Sequence, residues 1–245
     1  DNPGGPITKR TDGQDFASAK LTTEKLHSFT YGIVEARIRN PLADRGGKTA
    51  IPVWPAFWML PETSTAPYDG YWDKSALDTK REWARSTWPY SGEIDIMEVV
   101  GHEPEVTYGT LHYGGAWPEN THSGLGYIGE ESFALDFHDF AIEWEEGEIR
   151  WYVDEHLVST QTNWYSAVSA YPAPFDQKFH ILLNVAVGGT WPGYPDDSTT
   201  FPQTMKVDFV RVYQRDDQVG QDPESLQLTV NTRCLDTLVN EVELT

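Results

Sequence analysis

The chain of 245 residues reads as an all-β fold, a sandwich or jelly roll, on three observations. Val34, Ala36 and Ile38 alternate with Glu35, Arg37 and Arg39, the period-2 pattern of a strand with one buried face. Phe140, Ile142 and Trp144 repeat it and lead through Glu146-Gly147 to Ile149, Trp151 and Val153, a hairpin with glycine at its turn. Phe179 to Val187 is apolar on both faces, as a central strand between two layers must be, and Val207 to Tyr213 supplies a further strand. A sandwich of ~200–250 residues is an ordinary single domain, and 39% hydrophobic residues are enough to build its core.

Two segments depart from the strand pattern. Residues 73–86 carry good helix formers without Gly or Pro, which predicts a short helix inside the long connection from Pro61 to Ser91. Residues 216–223 form a polar linker, and 224–245 are too few to build a core alone; Leu226 to Val230 is their only strand-like piece. The division is therefore one domain over 1–215 and a linker with tail over 216–245. No internal repeat is present.

The formal net charge of −20 opposes binding to a phosphate backbone, so nucleic acid is excluded as a partner. No apolar run is long enough to span a membrane. Cys234 is the only cysteine, which rules out an internal disulfide or a cysteine-based zinc site.

The chemistry concentrates in Glu93-Ile94-Asp95-Ile96-Met97-Glu98. With this many acids in the chain, a Glu-x-Asp-x-x-Glu spacing arises by chance about 0.1 times. Glu93 and Asp95 share a strand face, but Glu98 is an odd number of positions from both Glu93 and Asp95, and regular alternation sends it to the other side. A β-bulge at Ile96-Met97 restores it, and bulges are a common way to re-aim a side chain beside an active site. Two carboxylates about 5–5.5 Å apart, one nucleophile and one acid/base, are the machinery of retaining glycoside hydrolysis. A third between them holds their pKa values apart. An acidic edge strand and a carboxylate metal site at Glu93, Asp95 and Glu98 are the competing readings. Six of the ten Trp (Trp54, Trp58, Trp72, Trp83, Trp88 and Trp117) bracket these acids, as platforms for sugar rings or as core. Trp144 and Trp151 sit on alternating strands and read as core.

The chain resembles glycoside hydrolase family 16, and within it the laminarinase-type endo-β-1,3-glucanases. The bulged acidic motif carries the resemblance together with Trp54 to Leu60, Gly109 to Gly114, Phe137-His138 through Trp144, Asn184 to Gly193 and Val207 to Tyr213, over about residues 16–214. It implies a jelly-roll β-sandwich with a long concave carbohydrate-binding cleft, so that 1–215 is a catalytic domain. Glu93 is then the nucleophile, Asp95 the assisting carboxylate and Glu98 the acid/base. His112 stands beside them, Trp54 and Trp58 line the cleft, and Asn184 and Trp191 border the sugar channel.

The expected substrate is a β-glucan. Mixed-linkage glucan, an algal galactan and non-catalytic glucan binding are the alternatives. No cofactor is needed for catalysis, and the resemblance places any structural calcium near Asp208. The protein is expected to be a secreted monomer whose signal peptide is not in this chain. The family's opening strands have no match before Ser18 to Leu21, so an N-terminally truncated fragment is expected. The connection from Pro61 to Ser91, with Tyr68, Tyr71, Trp72, Trp83 and Trp88, is expected to wall one end of the cleft.

Overall fold

The computed structural model describes residues 16–41, 52–62, 88–115, 118–196, 199–215, 218, 229–231 and 242–244. The helix expected over 73–86 lies outside the described residues, as do Tyr68, Tyr71, Trp72, Trp83 and Trp117.

Two antiparallel sheets stack face to face, with no helix among the described residues. The first contains β1 (Lys20–Thr22), β3 (Val53–Pro61), β4 (Glu93–Glu98), β5 (Val106–Gly114), β6 (Asn120–Ile128), β10 (Phe179–Val187) and β12 (Thr229–Asn231), in the order β12-β1-β10-β3-β4-β5-β6. The second contains β2 (Gly32–Arg39), β7 (His138–Glu145), β8 (Glu148–Val153), β9 (His156–Gln161), β11 (Met205–Tyr213) and β13 (Val242–Leu244), in the order β13-β11-β2-β7-β8-β9. The fold is the all-β jelly-roll sandwich that the alternation predicts.

The alternation works as a sorting rule. In β2 and β7 every second residue is buried, and Ile38, Phe140, Ile142 and Trp144 are fully enclosed. Facing them across the core, the first sheet contributes Phe57, Met59, Ile94, Met97 and Leu111. β10, apolar on both faces, pairs with β3 along its whole length from Phe179↔Pro61 to Val187↔Val53. The acidic strand β4 therefore lies inside a sheet, between β3 and β5. An edge position for these acids is excluded.

Two short segments of the tail pair with the sheets. Thr229–Asn231 pairs with β1, and Val242–Leu244 pairs with β11. The second of these carries no strand signal in the sequence. Its pairing is supplied by the open edge of β11, whose unpaired N–H and C=O groups accept a short segment of almost any composition.

Candidate active site

The register of β4 shows how three acids reach one surface. Asp95 lies opposite Thr110 and Glu98 opposite Tyr108, so three steps along β4 match two along β5. Against β3 the slip falls between Asp95↔Trp58 and Met97↔Phe57. The extra residue is thus at Ile96-Met97, where the odd spacing requires it, and Glu98 rejoins the face of Glu93 and Asp95. The bulge is fixed from beneath. Trp151, rising from β8 of the other sheet, donates its indole N–H to the Asp95 carbonyl at 2.9 Å. Gly109 on β5 makes room for that indole, since a Cβ there would stand 2.5 Å from Trp151 Cδ1.

The acids are held with little water around them. Asp95 is 2% exposed and Glu98 8%, and only Glu93 is partly open. Burial is the main force on all three, and it favours the neutral form. Glu93 is pushed up to about 8, by burial first and then by the neighbouring Asp95 charge. Glu98 is pushed up to about 7 by burial and by Glu93, against the Trp54 hydrogen bond and the nearby His112, which favour its ionised form. Asp95 lies well above its ordinary range, again through burial, then through Glu98. Glu93 and Asp95 are hydrogen-bonded to one another, so one proton serves both. In the resting arrangement this hydrogen bond raises Glu93 and lowers Asp95, so it draws the shared proton toward Glu93. At rest the cluster therefore stores protons near neutral pH, and which acid loses its proton first is a property of the group.

The other expected residues gather around this strand. Trp54 on β3 donates its indole N–H to Glu98 Oε1 at 2.9 Å, and Trp58 donates to Asn184 Oδ1 at 2.7 Å. His112, opposite Glu93 on β5, places Nε2 3.2 Å from Asp95 Oδ2. Trp191 follows β10 in a turn closed by Gly189 N–H to Gly193 O at 2.9 Å, where Gly189 has φ of 145°. Its ring meets Trp54 edge-on at 5.0 Å. Trp88 lies beside Glu93 and opposes the upward push of burial on its carboxyl, and its ring lies 6.3 Å from His112.

Two neighbours of the acids escape a reading by motif: Tyr108, directly across from Glu98, and Glu103, which accepts the Tyr108 hydroxyl at 2.6 Å. The signal for Tyr108 is the bulge itself. Once Glu98 is counted one residue out of step, the residue facing it on the next strand is fixed.

Asp208 is remote from this group, on β11 of the other sheet, where the register also slips, between Val207 and Phe209. Its side chain is 60% exposed, with Oδ2 3.8 Å from Arg37 Nε, and Arg37 also pairs with Asp139 at 3.0 Å. The guanidinium beside the carboxylate supplies positive charge that competes with a cation for Oδ2. The one trio of metal-ligating side chains among the described residues is Glu93, Asp95 and His112, with one donor atom from each within 4.8 Å of the others. Protons compete with a cation for those oxygens, because burial keeps the acids protonated near neutral pH.

Comparisons with known proteins bear on the fold and the family. The model of "Glycosyl hydrolases family 16" matches residues 7–211. A "Glucan endo-1,3-beta-glucosidase A1" of Niallia circulans is 38% identical over 81% of this chain, which spans 26% of that relative's length. A "Beta-glucanase" of Rhodothermus marinus is 38% identical over 82% of this chain, which spans 64% of its length. The X-ray structure of a laminarinase from Rhodothermus marinus superposes with a TM-score of 0.63 at 34% identity, covering 84% of this chain and 74% of the other. The match spans most of the sandwich, including the bulged acidic strand, and on this ground the chain belongs to glycosyl hydrolase family 16.

Proposed function

We propose that the chain is a retaining endo-hydrolase of β-1,3-glucan, working by double displacement with Glu93 as nucleophile and Glu98 as acid/base. The observation that carries this reading is the bulge, which brings Glu93, Asp95 and Glu98 to one face of a central strand flanked by Trp54 and His112.

In the first step the Glu93 carboxylate attacks the anomeric carbon, and the glycosidic bond breaks as Glu98 gives its proton to the departing oxygen. In the second, Glu98, now ionised, takes a proton from water, which displaces Glu93 from the sugar. Asp95 serves the first step by taking over the proton it shares with Glu93, so that Glu93 meets the sugar as a carboxylate. His112 beside Asp95 favours negative charge on the acids whenever the ring is protonated. Trp54, Trp58 and Trp191 offer flat faces and edges to pyranose rings, with Asn184 tied to Trp58.

A neutral glucan suits a chain of net charge −20 better than a sulfated galactan does, since an anionic polymer would be repelled. All catalytic side chains come from one chain, so a monomer suffices. A polymer of this kind is met outside the cell, which places the proposed site of action there. No helix among the described residues is long and apolar enough to cross a membrane.

The test is reducing-end release from laminarin, lichenan, agarose and carrageenan by the purified chain. Cleavage of laminarin in preference to the others is expected, with internal bonds cut first. Preference for lichenan moves the reading to mixed-linkage glucan, cleavage of agarose or carrageenan to a galactan, and binding without release to a glucan-recognition protein.

A further inference from the structure

We propose that Tyr108, anchored by Glu103, is a positioning residue for Glu98: it clamps Trp191 against Trp54 and so fixes the indole N–H that Trp54 gives to the carboxylate. The inference rests on Glu98 as acid/base and concerns how its proton is controlled.

The register sets the frame. Glu98 faces Ala56 on one side and Tyr108 on the other, and Trp54 lies two residues from Ala56 on the same face of β3. Trp54 and Tyr108 thus stand on the two strands that flank Glu98. Trp191 comes from a different part of the chain and meets both, with ring centroids 5.0 Å from each and interplanar angles of 79° and 71°. Those are edge-to-face contacts, the favoured arrangement for aromatic pairs. An indole so placed is wedged between two rings and arches over the strand that carries the acid.

Trp191 sits on a glycine-containing turn and gains definition only from what it touches. Tyr108, one of the two rings it meets, is anchored at its far end. Its hydroxyl donates to Glu103 Oε2 at 2.6 Å. Glu103 belongs to the tight β4–β5 turn, where its N–H bonds Val100 O and its own carbonyl accepts from Val106 N–H, both at 2.9 Å. That carboxylate raises the Tyr108 hydroxyl to about 12, so the phenol stays a donor throughout the working range of a glycosidase. Rigidity therefore passes from the turn through Glu103, Tyr108, Trp191 and Trp54 to Glu98.

The consequence is electrostatic. The Trp54 N–H stabilises ionised Glu98 and opposes the upward push of burial. When the clamp is removed, Trp54 spends less time on the carboxylate. Glu98 then holds its proton more tightly and is the weaker acid toward the departing sugar oxygen.

The experiment compares the whole chain with Tyr108→Ala, Tyr108→Phe, Glu103→Ala and Glu103→Gln. The first readout needs no activity: carboxyl-¹³C glutamate labelling and NMR titration of Glu98. An upward shift is expected in Tyr108→Ala, a smaller one in Tyr108→Phe and in Glu103→Ala, and recovery in Glu103→Gln, which keeps an acceptor for the hydroxyl. The second is kinetic. In Tyr108→Ala the alkaline limb of kcat/KM on laminarin moves to higher pH while kcat falls by about tenfold, a modest share of what an acid contributes. A dinitrophenyl glycoside, whose leaving group needs no proton, loses far less in kcat/KM. A Glu98 titration and alkaline limb that stay put in folded Tyr108→Ala and Tyr108→Phe overturn the inference. Absence of hydrolysis in the unaltered chain overturns the proposed function instead, and the titration still decides the role of Tyr108.

Discussion

Strands β4 and β11 each contain a register slip beside an acid, and the two acids meet opposite fates. In β4 the slip turns Glu98 into a buried cleft beside Glu93 and Asp95, with Trp151 bonded to the backbone beneath it. In β11 the slip presents Asp208 to solvent, with Arg37 alongside. A bulge only re-aims a side chain. Chemistry arises where the re-aimed acid is also desolvated and faces other acids, because that raises its pKa toward the pH at which it must give and take a proton.

The sharpest way to break the comparison is to remove the acids. Glu93→Ala and Glu98→Ala are each expected to lower reducing-end release from laminarin by at least about 10²–10⁴-fold, the contribution of a positioned acid/base, whereas Asp208→Asn leaves it intact. Azide should restore turnover of an activated aryl glycoside to Glu93→Ala with inverted product, since it replaces the missing nucleophile. Substantial unrescued activity in Glu93→Ala would remove its assignment.

The next effect comes from the bulge. Deleting Met97 makes the spacing from Glu93 to Glu98 even and removes the extra residue, so a folded protein with little activity is expected on laminarin. Activity equal to that of the unaltered chain would show that the β4 bulge matters no more to the reaction than the one in β11.

The support beneath the bulge follows. Trp151→Phe leaves the Asp95 carbonyl without its donor in a dry core, at a cost of about 1–3 kcal/mol. For a chain of this size each kcal/mol corresponds to roughly 2–4 °C in Tm, so calorimetry should register the change, and kcat should fall with it. A loss of Tm with kcat unchanged would make Trp151 an ordinary core residue.

Desolvation also leaves a mark on stability. Glu98 holds its proton up to about 7 in the folded chain against an ordinary 4.5. The native state therefore binds more protons than the unfolded one, and the favourable contribution present below 4.5 is lost as pH rises through 7. Glu98→Gln, which never ionises, should melt several degrees above the unaltered chain at pH 8 and close to it at pH 4. No difference at pH 8 would mean that Glu98 is better solvated than its burial implies.

The smallest effect is expected at β11. Asp208→Asn should change stability by less than about 0.5 kcal/mol, as for an exposed residue, and Tm should not respond to calcium through this site. A calcium-dependent rise in Tm that Asp208→Asn abolishes would instead give the second bulge a ligand.

Much of this was legible in the residues. Period-2 alternation identified β2, β7 and β8, because burial of one face is a property of the strand's own sequence. The odd spacing from Glu93 to Glu98 announced a bulge, because three acids cannot share a face across it otherwise. The contacts that make the bulge useful were not written in any one segment. Trp151 lies 56 residues from Asp95, and Asn184 lies 126 from Trp58, so their hydrogen bonds depend on strand order and register. The wedge of Trp191 between Trp54 and Tyr108 depends on both as well. Sequence by itself determined which residues face inward and which acids belong together, since side-chain direction follows from local backbone geometry. Only the tertiary structure decided what each of them touches and how dry it is, because partners and desolvation come from chain segments that local periodicity does not see.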